Sequence, residues 1–406
     1  MKDRSSPGSN RTFPSTITRR TVLGSALGSA ATLAVAPRTS LAALTSGPRA
    51  FPPLTQDEEQ IPFTNDGQSG SRRTQLVWQE LRDWHTPAEQ LYEVSHYEKP
   101  EDVADRELHI TGLVDRPLTL TLGQIREMPS ETYTAILECG GNGASPGFSG
   151  AIGNMRWTGT RLMPILERAG IDPDALEVVF FGDDRGEEEI RGDNYEQQFA
   201  RSLPLGEPVM EHTMLCYEMN GMPLNMLHGS PMRLVVPGWF GVAWVKWLDR
   251  VHVVDRRYVG RFMSRDYVTL RGEETEDGIV WHRTLVGPIN VKSITSRTIR
   301  QADGSVRIEG AAWTDGTPLE SVQVSIDDGV WIEATLQPPP ADANPHTWTF
   351  WSYTWSNPTP GAHTIVSRAT DAKGRVQPRA DDPQIAMKKT YWEASQQIVR
   401  EIELSG

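Results

Sequence analysis

The segment Ala135-Ile136-Leu137-Glu138-Cys139-Gly140-Gly141-Asn142-Gly143 places a single cysteine between an apolar run and a glycine-rich turn. A thiolate in this setting can bind the metal of a cofactor and leave that metal open to substrate. Glycines let the backbone approach a bulky ligand, because they carry no side chain that would obstruct it. The segment therefore predicts a cofactor site with Cys139 as its protein ligand. The alternative is a buried, inert cysteine packed as a small apolar residue.

The cysteine count narrows the kinds of metal site that the chain can build. Only one other cysteine is present, Cys216, and Met214-Leu215-Cys216-Tyr217 reads as an interior strand, which favours core packing for its thiol. Two cysteines cannot make a four-thiolate zinc site or a cysteine-ligated iron–sulfur cluster. The sequence also has no C-x-x-C-H motif for haem attachment, so we expect no haem. A single soft ligand remains, and softness selects particular metals.

Length and composition describe an ordinary globular protein. The chain has 406 residues, 23% of them charged, with 35 glycines and 29 prolines. This length is sufficient for two or three domains with cores of their own. The formal net charge of −13 argues against nucleic acid or an anionic membrane as a partner. An anionic substrate would therefore need cations concentrated at its binding site.

The first 42 residues are typical of a twin-arginine signal peptide. Arg19-Arg20 precede a short apolar run at residues 22–36, and Ser40-Leu41-Ala42 resembles a small-residue cleavage site. This export route carries proteins that fold in the cytoplasm, often around a cofactor. We therefore expect a soluble periplasmic or other extracytoplasmic protein. The alternative is an amphipathic leader of another kind, and no later segment reads as transmembrane.

Three segments follow the leader in the predicted domain organisation. Residues 43–85 have little periodicity and predict an extended arm. Residues 86–285 combine strands with short helices and predict an α+β domain. Its expected strands include residues 107–112, 178–181 before a polar loop at 182–186, and 233–236 before Pro237-Gly238. Thr160 is a candidate N-cap for a helix that runs through Glu167 and ends at Gly170.

Residues 286–406 show a different pattern, with short alternating strands separated by turn residues. Val306 and Ile308 alternate in one strand, Val322, Val324 and Ile326 in a second, and Ile365 lies in a third. Asp328-Gly329 predicts a hairpin turn. This spacing favours a β-sandwich. We expect its tryptophans to fill the core or a subunit interface, an aromatic cofactor box being the alternative; they are Trp313, Trp331, Trp351 and Trp355.

Several ordered motifs resemble the sulfite oxidase family over nearly the whole mature chain. Residues 137–142 are similar to that family's molybdenum-binding cysteine motif, and further similar segments are Glu218-Met219-Asn220-Gly221-Met222-Pro223-Leu224, His228-Gly229-Ser230-Pro231-Met232-Arg233, Val236-Pro237-Gly238 and Val245-Lys246-Trp247-Leu248. Gly310-Ala311-Ala312-Trp313 resembles part of the family's dimerisation domain. The resemblance implies an α+β molybdopterin-binding domain of sulfite oxidase type followed by an immunoglobulin-like β-sandwich that forms a homodimer.

The resemblance also implies roles for individual residues. Cys139 would bind the molybdenum of a molybdopterin, and Tyr267 would be the active-site tyrosine. The implied cofactor contacts besides Cys139 are Ser95, His96, Asp184, His228, Arg233, Trp244, Val245 and Lys246. Physical chemistry makes these roles reasonable. Arginine and lysine side chains suit the phosphate of the pterin, and histidine and aspartate offer its edges both donors and acceptors.

The activity implied is oxygen-atom transfer, with sulfite oxidised to sulfate and electrons passed to an external acceptor such as a c-type cytochrome. Two expected arginines are missing, because Val94 and the pair Ala144-Ser145 stand at their positions. Arg156, Arg265 or the Lys388-Lys389 pair could compensate, or could be ordinary solvated charges. The alternatives are therefore the same cofactor acting on sulfane sulfur, a sulfoxide or another oxyanion, and a non-catalytic exported sandwich protein.

Overall fold

The computed structural model describes residues 48–66, 75–101, 106–145 and 147–405. The predicted signal peptide at residues 1–42 lies outside these ranges, as do parts of the predicted arm. Within them, no helix has the length and apolar character needed to cross a membrane.

The described residues are mostly β-strands with a few short helices. The strands are β1 (Glu59–Ile61), β2 (Glu107–Gly112), β3 (Leu118–Thr121), β4 (Glu131–Glu138), β5 (Ile152–Arg161), β6 (Glu177–Ile190), β7 (Asp193–Pro204), β8 (Met214–Met219), β9 (Met222–Pro223), β10 (Arg233–Val235), β11 (Leu248–Val254), β12 (Val268–Thr275), β13 (Gly278–Leu285), β14 (Lys292–Arg300), β15 (Val306–Trp313), β16 (Leu319–Ile326), β17 (Ile332–Glu333), β18 (Thr335–Leu336), β19 (Thr349–Trp355), β20 (Gly361–Asp371) and β21 (Val399–Leu404). The α-helices are α1 (Leu122–Arg126), α2 (Leu162–Ala169), α3 (Arg261–Ser264) and α4 (Pro383–Ala386). Single 3₁₀ turns are formed by Trp78–Glu80, Ala88–Gln90, Pro208–Glu211, Met226–His228 and Gly241–Ala243.

The strands between residues 107 and 285 form two sheets and a hairpin. One sheet has the order β10-β8-β5-β4, and the other has the order β3-β2-β11-β6-β7, in which β11 runs parallel to β2. Helix α2 buries Leu162, Ile165, Leu166 and Ala169, the spacing of one helical face. The strands β12 and β13 form the separate hairpin. Apolar side chains from both sheets share one core.

Two local predictions in this part are wrong. Thr160 does not cap α2. It lies in β5, where it pairs with Leu215 of β8, and its hydroxyl donates to the Ile125 carbonyl at 3.2 Å. Arg161 precedes the helix instead, although the helix does end at Gly170, with φ at 75°. Residues 182–186 are also not a loop, because β6 continues to residue 190 along its partner β7. The register shifts there between Phe181 and Arg185, so Asp184 lies in a β-bulge.

The part after residue 286 is a sandwich of two sheets, as predicted. One sheet has the order β1-β14-β15-β19-β18, and the other has the order β17-β16-β20-β21. Their facing side chains form a core that includes Trp351. Trp313 is also buried, but Trp331 and Trp355 are only half-buried. Arg368 lies over the Trp331 ring at 4.1 Å.

The segment predicted as an arm is built into the sandwich. Its strand β1 pairs with β14, and Trp78 stacks on Trp313 with ring centroids 5.8 Å apart. A core that contains Trp78, Tyr267 and Trp313 therefore joins the arm, the first part of the chain and the sandwich. The division into domains at residues 86 and 286 stays a prediction.

Candidate active site

Cys139 lies where β4 ends and the glycine-rich turn begins. Its backbone N–H donates to the Ala151 carbonyl at 2.9 Å, and its carbonyl accepts from Asn142 at 2.9 Å. The residue is 8% exposed and lines a cleft of about 510 Å³, counting the part open to solvent. Cys216 is instead fully buried in β8, where burial raises the pKa of its thiol. The two cysteines thus occupy different environments, and only the thiol of Cys139 borders a cavity.

Most of the predicted site residues converge on this cleft. Those that line it are Ser95, His96, Cys139, Asp184, Trp244, Lys246 and Tyr267. They come from loops, from the end of β4 and, for Asp184, from the bulge in β6. His228, Arg233 and Val245 do not line it. The sequence prediction missed further lining residues, which are Tyr92, Phe199, Gly241, Val242 and Trp247.

A polar corner of the cleft is formed by Lys246, Ser95 and Asp184. The Lys246 ammonium donates to the Ser95 hydroxyl at 2.6 Å and lies 4.3 Å from the centroid of the Trp247 ring. Burial, and then the charge of Arg233, lowers the pKa of Lys246 to about 7. Burial raises the pKa of Asp184 to about 7, against the attraction of Lys246 for the carboxylate. Near neutral pH this corner therefore offers both donors and acceptors.

His96 lies at the rim and is held by a charged network. Its Nε2 is 3.8 Å from a carboxylate oxygen of Asp266, and that carboxylate accepts from Arg261 Nε at 2.7 Å. The His96 ring packs edge-on against Phe262 at 4.6 Å. Burial, followed by the charge of Arg261, lowers the pKa of His96, so the neutral imidazole is favoured.

Two tyrosines flank Cys139. Tyr267 precedes β12 and has φ at 56°, a backbone conformation that is uncommon for a side chain of this size. Burial, and then the negative charge of Cys139, raises the pKa of Tyr267, and the pKa of Tyr92 is raised well above its ordinary value for the same two reasons. Both phenols therefore stay protonated and can act as hydrogen-bond donors. Glycine at residue 241 lets the wall lie close to Tyr92, since a Cβ there would be 2.5 Å from the Tyr92 hydroxyl.

Arg233 and His228 lie behind the cleft wall. The Arg233 guanidinium donates to the carbonyls of His228 at 3.1 Å and Trp244 at 2.9 Å, and burial lowers its pKa to about 10. These contacts hold the wall in place, so Arg233 is not oriented as a fork into the cavity. His228 Nδ1 contacts Asn225 Oδ1 at 2.9 Å, and its buried Nε2 makes no hydrogen bond of good geometry with a described residue.

Comparisons with known proteins agree with this geometry. Residues 96–262 match the oxidoreductase molybdopterin binding domain, and residues 284–393 match the Mo-co oxidoreductase dimerisation domain. Sulfite oxidase of Arabidopsis thaliana is 30% identical over 327 residues, which cover 72% of this chain and 82% of that protein. The chain belongs to the sulfite oxidase family.

Two further relatives show how far the similarity extends. Mitochondrial sulfite oxidase of Drosophila melanogaster is 30% identical over 327 residues, 73% of this chain, but this chain matches only 55% of that protein's length. The crystal structure of the sulfane dehydrogenase SoxCD from Paracoccus pantotrophus aligns with a TM-score of 0.69 and 27% identity, covering 82% of this chain and 86% of that one. The fold prediction for both parts of the chain is thereby confirmed.

The cleft residues fit the molybdopterin that this family binds. A soft thiol borders the cavity, and a corner of mixed donors and acceptors lies on another part of its lining. Both features lie on the same cleft, so its donor set suits a group that carries a metal beside polar edges.

The cationic side chains that could have replaced the two missing arginines do not line the cleft. Arg156 is exposed on β5, and Arg265 pairs with Glu188 and Asp266. Lys388 donates to the Trp392 carbonyl at 2.8 Å, and Lys389 lies 5.4 Å from the centroid of the Trp281 ring. Among the described residues that line the cleft there is no arginine. The described lining thus lacks the two arginines that the family resemblance led us to expect.

Proposed function

We propose that this chain is a molybdenum-dependent oxidoreductase that transfers an oxygen atom, with sulfite as substrate and sulfate as product. The observation that carries the proposal is the meeting of Cys139 and Tyr267 with the polar corner of Lys246, Ser95 and Asp184 in one cleft. These residues come from five separate parts of the sequence. Packing alone does not require a thiol, a phenol and two ionisable groups to share a cavity.

The residues have distinct roles in this proposal. Cys139 is the protein ligand of the metal, and the cofactor supplies the oxygen-atom and electron chemistry when bound. Lys246 and Ser95 hold the anionic part of the pterin cofactor, while Asp184 and His96 contact its polar edges. Tyr267 donates a hydrogen bond to a substrate oxygen, because its raised pKa keeps the phenol protonated. Trp244 and Val242 close the wall and exclude water.

The oxidation of sulfite releases two electrons, and water supplies the oxygen atom gained overall. We propose that the electrons pass to an external acceptor, such as a c-type cytochrome. We also propose export by the twin-arginine route to the periplasm, from the Arg19-Arg20 leader. The match to the dimerisation domain supports a homodimer.

A second candidate substrate is sulfane sulfur. Two observations favour it, namely the similarity to the sulfane dehydrogenase SoxCD and the lack of arginine among the described residues of the cleft lining. Charge-assisted hydrogen bonds contribute about 1.5–3 kcal/mol each, so a cleft that lacks the two arginines binds a free dianion less tightly. A sulfur atom carried on a larger molecule depends less on such bonds.

Metal analysis and a substrate panel test both candidates. The protein should be purified through its export route, and its molybdenum content measured by mass spectrometry. Steady-state rates should then be measured with cytochrome c as acceptor and with sulfite, a cysteine persulfide or dimethyl sulfide as donor. We expect one molybdenum per chain and turnover with sulfite. A folded protein without molybdenum refutes the proposal, and turnover with the persulfide alone selects the second candidate.

A further inference from the structure

The turn that carries Cys139 is held by residues of the sandwich. Lys292, the first residue of β14, is buried, and its ammonium donates to Glu138 Oε1 at 2.6 Å and to the Asn142 carbonyl at 2.9 Å. The other oxygen of Glu138 accepts from the Trp313 indole at 2.8 Å. Glu138 is fully buried and directly precedes Cys139. Lys292, in the sandwich, therefore contacts residues on both sides of Cys139, namely Glu138 immediately before it and Asn142 three residues after it.

The segment between α4 and β21 makes the second set of contacts. The Glu393 backbone N–H donates to the Gly140 carbonyl at 2.7 Å, and the Gln396 side chain donates to the Gly143 carbonyl at 2.7 Å. In the same segment, the Trp392 ring packs against Tyr267 with centroids 4.3 Å apart. Cys139 and Tyr267, which both line the cleft, are thus both held by contacts from residues after 286.

These contacts restrict the backbone conformation of the glycine-rich turn at residues 139–143. Glycines at positions 140, 141 and 143 give the unfolded turn a large conformational entropy, so local contacts alone hold it weakly. A metal ligand needs a fixed position, and supporting hydrogen bonds around the ligand provide it. Here the supporting donors come from residues more than 150 positions later in the chain.

We propose that the sandwich, besides its match to a dimerisation domain, positions the metal ligand, and that Lys292 and Gln396 are its positioning residues. This inference rests on the proposed function, in which Cys139 binds molybdenum. Neither residue touches substrate. Each acts through the turn, by donating to Glu138 and Asn142 in one case and to Gly143 in the other.

The test uses Lys292→Met and Gln396→Leu in the full-length chain. Arg297→Met is the matched control, because Arg297 is an equally buried cation of β14 that pairs with Glu309 at 2.5 Å and also donates to the Pro52 carbonyl. Arg297→Met also removes a buried ion pair, but one that does not involve the turn that carries Cys139. Gln396→Leu removes only a neutral hydrogen bond, so it keeps the test informative if Lys292→Met does not fold.

The first measurement needs no cofactor. Iodoacetamide labelling of Cys139 is followed by peptide mass spectrometry in chains produced without molybdenum cofactor, and the fully buried Cys216 serves as an internal reference. We expect Lys292→Met to raise the Cys139 labelling rate at least about tenfold, which corresponds to about 1.4 kcal/mol of local opening. We expect a smaller rise for Gln396→Leu and none for Arg297→Met, although the control's melting temperature also falls.

The second measurement uses the protein produced with cofactor. We expect both turn variants to lower the molybdenum content and to change the electron paramagnetic resonance spectrum of the reduced metal, while the control keeps both. If both turn variants label Cys139 at the wild-type rate, the positioning inference is overturned. If labelling changes as expected but the wild type holds no molybdenum, the proposed function fails and the mechanical role of the sandwich stands.

Discussion

Replacing Asp184 by asparagine should change how the stability of the cofactor-free chain depends on pH. Asp184 is 4% exposed in its bulge, and burial raises its pKa from 3.8 to about 7. In the unfolded chain the carboxyl ionises near its ordinary pKa, while in the folded chain it stays protonated until about pH 7. The folded state therefore binds an extra proton between these two values, and its free energy of unfolding falls as the pH rises through this range.

The magnitude follows from the two pKa values. Each pH unit between 3.8 and about 7 lowers the free energy of unfolding by about 1.36 kcal/mol. Ionised Asp184 therefore destabilises the folded chain by about 4 kcal/mol at alkaline pH. Asparagine has nearly the same shape and no charge, so the variant avoids this cost. The net gain is smaller than the maximum, because Lys246 loses a neighbouring negative charge in the variant.

Urea unfolding of the cofactor-free wild type and Asp184→Asn, at intervals from pH 4 to pH 8, measures this difference. We expect the unfolding free energy of the variant, relative to the wild type, to increase steadily between pH 4 and pH 7 and to level off above. The same substitution should lower molybdenum content in protein produced with cofactor, since it removes a proposed cofactor contact. A difference between the two proteins that does not vary with pH would refute the reasoning.

Three further substitutions test the site. Cys139→Ser should fold but lose turnover, because an alkoxide is a harder ligand than a thiolate, and sulfite oxidation retained in a steady-state assay would contradict the role of Cys139. Tyr267→Phe should lower turnover about 10- to 100-fold through loss of one hydrogen bond while molybdenum content stays the same; unchanged kinetics would leave Tyr267 with a packing role alone. Gly241→Ala should destabilise the chain by about 1–3 kcal/mol, because the new methyl group would be 2.5 Å from the Tyr92 hydroxyl and 2.9 Å from Leu137. Thermal unfolding checks this last expectation, and an unchanged melting temperature would show that the wall can move.

Parts of the cleft could be predicted from the sequence, and other parts could not. Cys139 and Lys246 lie in long ordered motifs, so a resemblance could identify them before any contact was known. Tyr92 and Phe199 are aromatic residues in no such motif, and from the sequence they look like ordinary core residues. The resemblance implied that Arg233 contacts the cofactor, and its charge suits a phosphate. Only the structure shows that the buried Arg233 guanidinium donates to the backbone carbonyls of His228 and Trp244.

The sequence alone determined the family, the two-part architecture and the identity of the thiol, because these depend on motifs of neighbouring residues and on the alternation of apolar side chains along each strand. It could not determine that β6 continues through a bulge at Asp184, or that Lys292 reaches Glu138 across 154 positions of sequence. Contacts of this kind depend on how sheets pack against each other, and side chains far apart in the chain meet only after that packing is complete. The position of the Cys139 thiol, which we propose as the metal ligand, is therefore a property of the tertiary structure, although the sequence motif already identifies the residue.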